Sequence, residues 1–146
     1  FPDRWILTNG YANRVRPPES VEKLSPNLGI QSAVIAACSI HKIGDPHCWQ
    51  RTLYKQIMDR WTEDLDCVFI YDYDPGNSLA NLPFPALHNL KHDIPYFHDR
   101  GVWGFWTEGD QHLDGDPSQL LHPIQTGVGR DRGCPRARPG LLRKIL

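Results

Sequence analysis

Two apolar segments of the chain end in clusters of carboxylate and aromatic side chains. The segment CVFIYDYDPG (67–76) begins as a buried strand and ends in two phenols and two carboxylates, and GVWGFWTEG (101–109) ends in Trp106, Thr107 and Glu108. Paired carboxylates serve as acid, base or nucleophile in glycoside hydrolysis, and aromatic faces cover sugar rings. An Asp before Pro-Gly is also common in turns, so one strand end alone does not distinguish a functional site from a turn.

Two further apolar segments end in polar residues in the same way. WILTNGY (5–11) carries Thr8, Asn9 and Tyr11, and IQSAVIAACSIH (30–41) ends in Ser39 and His41. Such nearly continuous apolar runs are typical of strands covered on both faces, as in a parallel sheet. Because parallel α/β folds build their sites at the carboxyl ends of strands, we interpret the four ends together as one site.

These strand ends supply the candidate site residues. Alternation along the strand places Asp72 and Asp74 on one face and Tyr71 and Tyr73 on the other. We assign no metal ion and no cofactor. The predicted catalytic carboxylates are Asp72, Asp74 and Glu108, and the predicted substrate-binding residues are Asn9, Tyr11, His41, Tyr71, Tyr73, Trp103 and Trp106.

The loop sequence CSIHKIGDPHC (38–48) brings two cysteines and two histidines together. A disulfide between Cys38 and Cys48 would close a short loop in a secreted protein, and two free thiols would suit an intracellular one. Neither of these alternatives is preferred strongly over the other. Zinc ranks third, because the spacing fits no common zinc finger or ribbon.

Helical patterns separate the predicted strands. RTLYKQIMDRWTED (51–64) places apolar residues on one face and polar residues, including Arg51, on the other. A second helix is predicted over Ala86–His92, broken by Pro95, and a short one over Pro18–Leu24. Strands that alternate with helices predict an α/β fold with a parallel sheet of about four βα units. A (β/α)8 barrel needs about 250 residues, so four βα units form either half of such a barrel or a small doubly wound sheet.

The overall composition narrows the class of protein. The chain has 146 residues, 40% hydrophobic and 23% charged, with a formal net charge of −1. That balance gives no electrostatic basis for binding nucleic acid or a membrane surface, and no apolar run approaches the roughly 20 residues of a membrane span.

Because the first residue is Phe1 rather than Met, we expect the native N-terminus to lie upstream, and we assign no localisation. A secreted or periplasmic parent remains an option.

Several ordered motifs carry a family resemblance: WILTNGY, CSIH…DPHC, FIYDYDPG, LPFP…HDIPYF and RGVWGFWTEG. Over Trp5–Gly109 the chain resembles a bacterial family of unknown function among the glycoside-hydrolase-like (β/α)8 barrels, whose relatives include α-glucuronidases and β-hexosaminidases. The resemblance implies the C-terminal half of a TIM-like barrel, with the general acid of its relatives on a strand upstream of Phe1. It implies a fragment of a carbohydrate-active protein, inactive without its missing N-terminal half.

Two other functions remain open at this stage. The first is a carbohydrate-binding barrel without catalysis, in which the same residues only hold hydroxyl groups. The second is a small stand-alone α/β domain without a site.

The C-terminal region departs from this pattern. We divide the chain into a half-barrel domain, 1–112, and an irregular tail, 113–146, which is rich in Gly, Pro and Arg. Back-translation of 113–122 with a one-base shift produces an amphipathic helical sequence of the expected kind. We therefore expect the tail to be out-of-frame translation. The alternative is a genuine basic tail that binds an acidic surface.

Overall fold

The structure is a computed structural model that describes residues 4–73 and 87–108. Its described part is an α/β fold with one four-stranded parallel sheet, in the strand order β1-β2-β3-β4. Residue Asp74, the predicted start of the second helix at Ala86 and the predicted tail 113–146 lie outside the described residues. The elements are β1 (Ile6–Gly10), a 3₁₀ turn (Ala12–Arg14), β2 (Leu28–Ala33), α1 (Trp49–Asp64), β3 (Cys67–Tyr73), α2 (Leu87–Asp99) and β4 (Gly104–Glu108).

The core lies between the sheet and the two helices. Ile30, Val68 and Ile70 are at most 2% exposed and share one face of the central strands. Met58 of α1 and Phe97 of α2 belong to the same buried cluster. Each large apolar side chain buried there contributes about 1.5–3 kcal/mol. Both described helices therefore pack on the face of the sheet that carries Val68 and Ile70.

The predicted apolar face of α1 is confirmed, with one correction. Tyr54, Ile57, Met58 and Trp61 are buried, as their helical spacing predicts. Arg51 was assigned to the polar face, but it is buried as well. It lies one turn before Tyr54 and pairs with the buried carboxylate of Asp93 in α2. The partner is far away in the sequence, so the helical pattern of α1 contained no sign of it.

The prediction that Pro95 breaks the second helix is wrong, because α2 continues through it to Asp99. A proline removes only one helical hydrogen bond, and tertiary contacts hold the last turn. The Phe97 ring is 6% exposed, and the Tyr96 hydroxyl donates to Asp59 Oδ1 over 2.6 Å. The chain turns after α2 at Gly101, whose φ of +75° suits glycine.

The first two connections also differ from the sequence interpretation. The described residues 18–24 contain no helix, and β1 and β2 are joined by the 3₁₀ turn and irregular chain. The second strand ends at Ala33 instead of running on toward His41. A turn follows at once, in which the Ala37 N–H donates to the Val34 carbonyl over 3.1 Å. No described helix is long and apolar enough to cross a membrane.

Candidate functional site at the carboxyl ends of the strands

The register of β3 and β4 brings predicted site residues to one edge of the sheet. Tyr71 pairs with Trp106, Asp72 with Thr107, and Tyr73 with Glu108. The two strands are parallel, so these pairs lie at their common carboxyl edge. Asp72 and Glu108 therefore stand on neighbouring strands, one register position apart.

The side chains at the end of β3 divide between the two faces of the sheet. Asp72 shares the helix-covered face with Val68 and Ile70, and its Oδ1 accepts a hydrogen bond from the Tyr73 N–H over 2.9 Å. Tyr71 and Tyr73 lie on the opposite face, with ring centroids 5.2 Å apart in an edge-on arrangement. Trp106, the register partner of Tyr71, is 63% exposed. This face thus carries the rings of Tyr71, Tyr73 and Trp106 near its carboxyl edge.

The Asp72 carboxylate also acts across the helix-covered face. Burial raises the pKa of the Tyr54 hydroxyl, and the negative charge of Asp72 raises it further. Tyr54 stays a neutral phenol under all ordinary conditions. Asp72 is therefore electrostatically linked to α1 as well as to the end of its own strand.

A cleft of about 430 Å³ lies beside this edge, between the ends of β1 and β2 and the start of α1. Tyr11 forms part of its wall, as does Trp49, which is 73% exposed. Sequence reasoning missed Trp49 because the predicted helix began at Arg51. Asn9, the other predicted residue from β1, is exposed at the register position opposite Gln31. The lining residues are Tyr11, Ala12, Val15, Arg16, Ala33, Val34, Ile35, Ala36, Ala37, Trp49, Gln50, Leu53, Tyr54 and Ile57.

Two predicted binding residues lie elsewhere. Trp103 precedes β4 and lies at the amino edge of the sheet, where its indole N–H donates to the Asp66 carbonyl over 2.8 Å. Its backbone N–H donates to the Val68 carbonyl over 2.8 Å, so its contacts are those of a structural residue. His41 lies in the loop between β2 and α1, with Nδ1 3.3 Å from Cys38 Sγ.

The thiols of Cys38 and Cys48 are free in the structure, and their sulfurs and a ring nitrogen of His41 all lie within 4.8 Å of one another. Burial disfavours ionisation of Cys38, but hydrogen bonds with His41, the Ile40 N–H and Cys48 outweigh it and lower its pKa to about 7. Cys38 is therefore substantially thiolate near neutral pH. The predicted disulfide stays a prediction.

The fold and this edge define an α/β protein with a parallel sheet and polar and aromatic residues at its strand ends. The model of one protein family, described as a domain of unknown function (DUF4838), matches residues 1–123. The chain belongs to that family. The match extends beyond residue 112, the predicted end of the first domain. No curated protein and no solved structure is significantly similar to the chain.

Proposed function

We propose that the chain is part of a carbohydrate-active, glycoside-hydrolase-like barrel, and that the carboxyl edge of its sheet contributes to a sugar-binding site. The observation that carries the proposal is the register that pairs Tyr71 with Trp106 and Tyr73 with Glu108, beside Asp72. Aromatic faces cover pyranose rings, and carboxylates accept hydrogen bonds from sugar hydroxyls. Both kinds of group stand on two neighbouring strands.

The order of the strands supports a barrel over a doubly wound sheet. The described strands follow one another in chain order, and both described helices pack on the same face. A doubly wound sheet reverses its strand order and places helices on both faces. A barrel keeps sequential order, with helices outside and the opposite face inside. On this proposal, Tyr71 and Tyr73 point into the barrel.

Catalysis would need a complete barrel. Glycosidases act with two carboxyl groups about 5–5.5 Å apart for retention or about 6.5–9.5 Å apart for inversion. The candidate carboxylates differ in position: Glu108 stands at the register position of Tyr73, Asp72 lies on the helix-covered face, and Asp74 lies outside the described residues. The remaining strands, and with them the general acid of a hydrolase, would come from an N-terminal half. We therefore propose that the 146-residue chain binds sugar but does not hydrolyse glycosides.

The cleft favours a second candidate function, carbohydrate binding without catalysis. Its walls carry the exposed rings of Tyr11 and Trp49, whereas the described lining includes no carboxylate. Aromatic rings without a carboxylate pair can hold a sugar but cannot cleave it. In this alternative, the strand ends of β3 and β4 contribute little to binding.

Saturation-transfer NMR with a panel of mono- and oligosaccharides distinguishes these functions. We expect Trp106→Ala to weaken sugar binding about tenfold, the equivalent of about 1.4 kcal/mol. The matched variant Trp49→Ala, which also removes an exposed indole, should bind as the wild type does. A loss confined to Trp49→Ala would instead support the cleft, and a panel without any binding would reject both functions. Turnover of an aryl glycoside by the pure chain would contradict the proposed inactivity.

A further inference from the structure

The loop between β2 and α1 gathers three side chains that are good ligands for a soft metal ion. The sulfurs of Cys38 and Cys48 and a ring nitrogen of His41 lie within 4.8 Å of one another. Cys38 Sγ is 3.3 Å from His41 Nδ1. Cys48 is buried, and the other two residues are half-buried. The cluster is therefore partly shielded from water while keeping an open side.

The geometry is close to that of a tetrahedral zinc site. Zn–S bonds of about 2.3 Å and Zn–N bonds of about 2.0–2.1 Å place ligand atoms about 3.5–3.8 Å apart. The Cys38–His41 separation is already near this range, and the widest separation in the cluster needs to close by about 1 Å. Thiolate and imidazole together favour zinc over magnesium or calcium, which prefer oxygen ligands.

Hydrogen bonds from the backbone suit a thiolate at Cys38. The Ile40 N–H donates to Cys38 Sγ over 3.4 Å. Cys48 is the N-cap residue of α1 and makes no side-chain cap, so its sulfur is not used to satisfy the helix.

The loop is anchored to both helices, and the ligands are thereby held in place. On one side, the Cys48 N–H and the Thr52 hydroxyl both donate to the Asp45 carbonyl, each over 3.0 Å. On the other side, the Asn89 side-chain amide of α2 donates to the Ser39 carbonyl over 2.5 Å. The Ile43 N–H donates to the Asp93 carboxylate over 2.8 Å. These contacts fix the chain around all three ligands.

We propose that Cys38, His41 and Cys48 bind one Zn²⁺ ion, with water in the remaining coordination position. Each thiol that is protonated releases its proton to solvent when the metal binds, and neither sulfur is oxidised. The ion ties the loop to the start of α1 and so stabilises the carboxyl side of β2. This site is independent of the proposed carbohydrate function, because it uses none of the residues at the ends of β3 and β4.

Metal analysis of the 146-residue chain, purified under reducing conditions, tests the site. We expect about one zinc ion per chain by mass spectrometry and, after exchange with Co²⁺, the near-ultraviolet charge-transfer absorption of a thiolate–cobalt bond. Cys38→Ser and His41→Ala should each weaken Zn²⁺ binding at least about tenfold in competition with a chromophoric chelator. The control His98→Ala, on an exposed residue of α2, should bind Zn²⁺ as the wild type does.

Alkylation of the wild-type chain keeps the test decisive if a variant fails to fold. Bound Zn²⁺ should slow the labelling of Cys38 and Cys48 by iodoacetamide, and a chelator should restore it. A Co²⁺ complex without thiolate absorption would overturn the proposal. So would equal Zn²⁺ affinity in folded Cys38→Ser and wild type, or a Cys38–Cys48 disulfide that forms in the presence of Zn²⁺ and thiol reductant.

Discussion

Arg51 of α1 donates a hydrogen bond to the carboxylate of Asp93 in α2, and the two side chains are only 10% and 8% exposed. The same carboxylate accepts the Ile43 N–H, so three parts of the chain meet at one buried acid. Burial raises the pKa of Asp93, while the Ile43 N–H and the Arg51 guanidinium oppose the rise. The pair joins the two helices to the loop that carries the proposed zinc ligands.

Removal of Asp93 should destabilise the fold strongly. Asp93→Ala leaves the Arg51 guanidinium buried without a counter-charge, and we expect a loss of about 3–5 kcal/mol in the free energy of unfolding. Urea denaturation followed by tryptophan fluorescence measures it. Asp64→Ala, which breaks the exposed Arg60–Asp64 pair on α1, is the control and should cost at most about 0.5 kcal/mol.

The Arg51→Met change identifies the cause of that loss. In the Asp93→Ala background it should restore part of the stability, because it removes the uncompensated buried charge. If Asp93→Ala costs no more than Asp64→Ala, the buried pair does not hold the helices together.

The ionisation of Asp59 should make the free energy of unfolding depend on pH in the acid range. It accepts hydrogen bonds from Lys55 and the Tyr96 hydroxyl, and Arg100 Nη2 lies 3.0 Å from its Oδ1. Burial favours its neutral form, but these partners outweigh burial and lower its pKa. A depressed pKa in the folded state stabilises the protein above the unfolded pKa of about 3.9, and this contribution is lost as pH falls through the folded pKa.

Asp59→Asn should therefore lower the free energy of unfolding by about 1–2 kcal/mol at neutral pH. The gap between variant and wild type should narrow as the solution is made strongly acidic. Urea midpoints over a pH series measure this. Tyr96→Phe removes one of the hydrogen-bond donors to Asp59. It should also lower the free energy of unfolding at neutral pH, but by less than Asp59→Asn does. A gap that is constant with pH would contradict the assignment.

Trp61 should hold the wall of the cleft in place. Its side chain is 4% exposed, and its indole N–H donates to the carbonyl of Val15 over 2.9 Å. Trp61→Phe keeps most of the apolar surface but leaves that carbonyl without its donor, at a cost of about 1–3 kcal/mol. We expect faster amide hydrogen exchange over residues 12–16, with little change in Trp49→Phe. Unchanged exchange in Trp61→Phe would show that the cleft wall is held by other contacts.

The C-terminal tail should contribute little to stability. A chain that ends at residue 112 should keep the urea midpoint of the 146-residue chain, because the tail is rich in Gly, Pro and Arg and its sequence has no helical period until its last residues. A loss of more than about 1 kcal/mol would argue for an integral segment. Resequencing of the gene tests the reading frame separately, and an uninterrupted frame without a length error would rule out the frameshift.

Short-range patterns predicted much of this fold. Continuous apolar runs located β1, β3 and β4, and spacing close to 3.6 residues located α1, because both signals arise from residues only a few positions apart. The predictions were wrong where contacts between residues far apart in the sequence determine the local structure. Pro95 is tolerated because Phe97 and Tyr96 are held by the core and by α1, and the apolar run after Ala33 forms a turn beside the cleft instead of more strand.

The sequence by itself determined which residue types end the strands and that the sheet is parallel, because apolar runs and turn residues act locally. The tertiary structure decided which of these residues meet. Only the strand register showed that Tyr73 pairs with Glu108 and that Trp103 lies at the amino edge of the sheet, away from the other candidate residues. The loop sequence 38–48 placed two cysteines and two histidines close together in the chain, but only the folded loop showed that Cys38, His41 and Cys48 converge, because side-chain distances depend on how the loop packs against the helices.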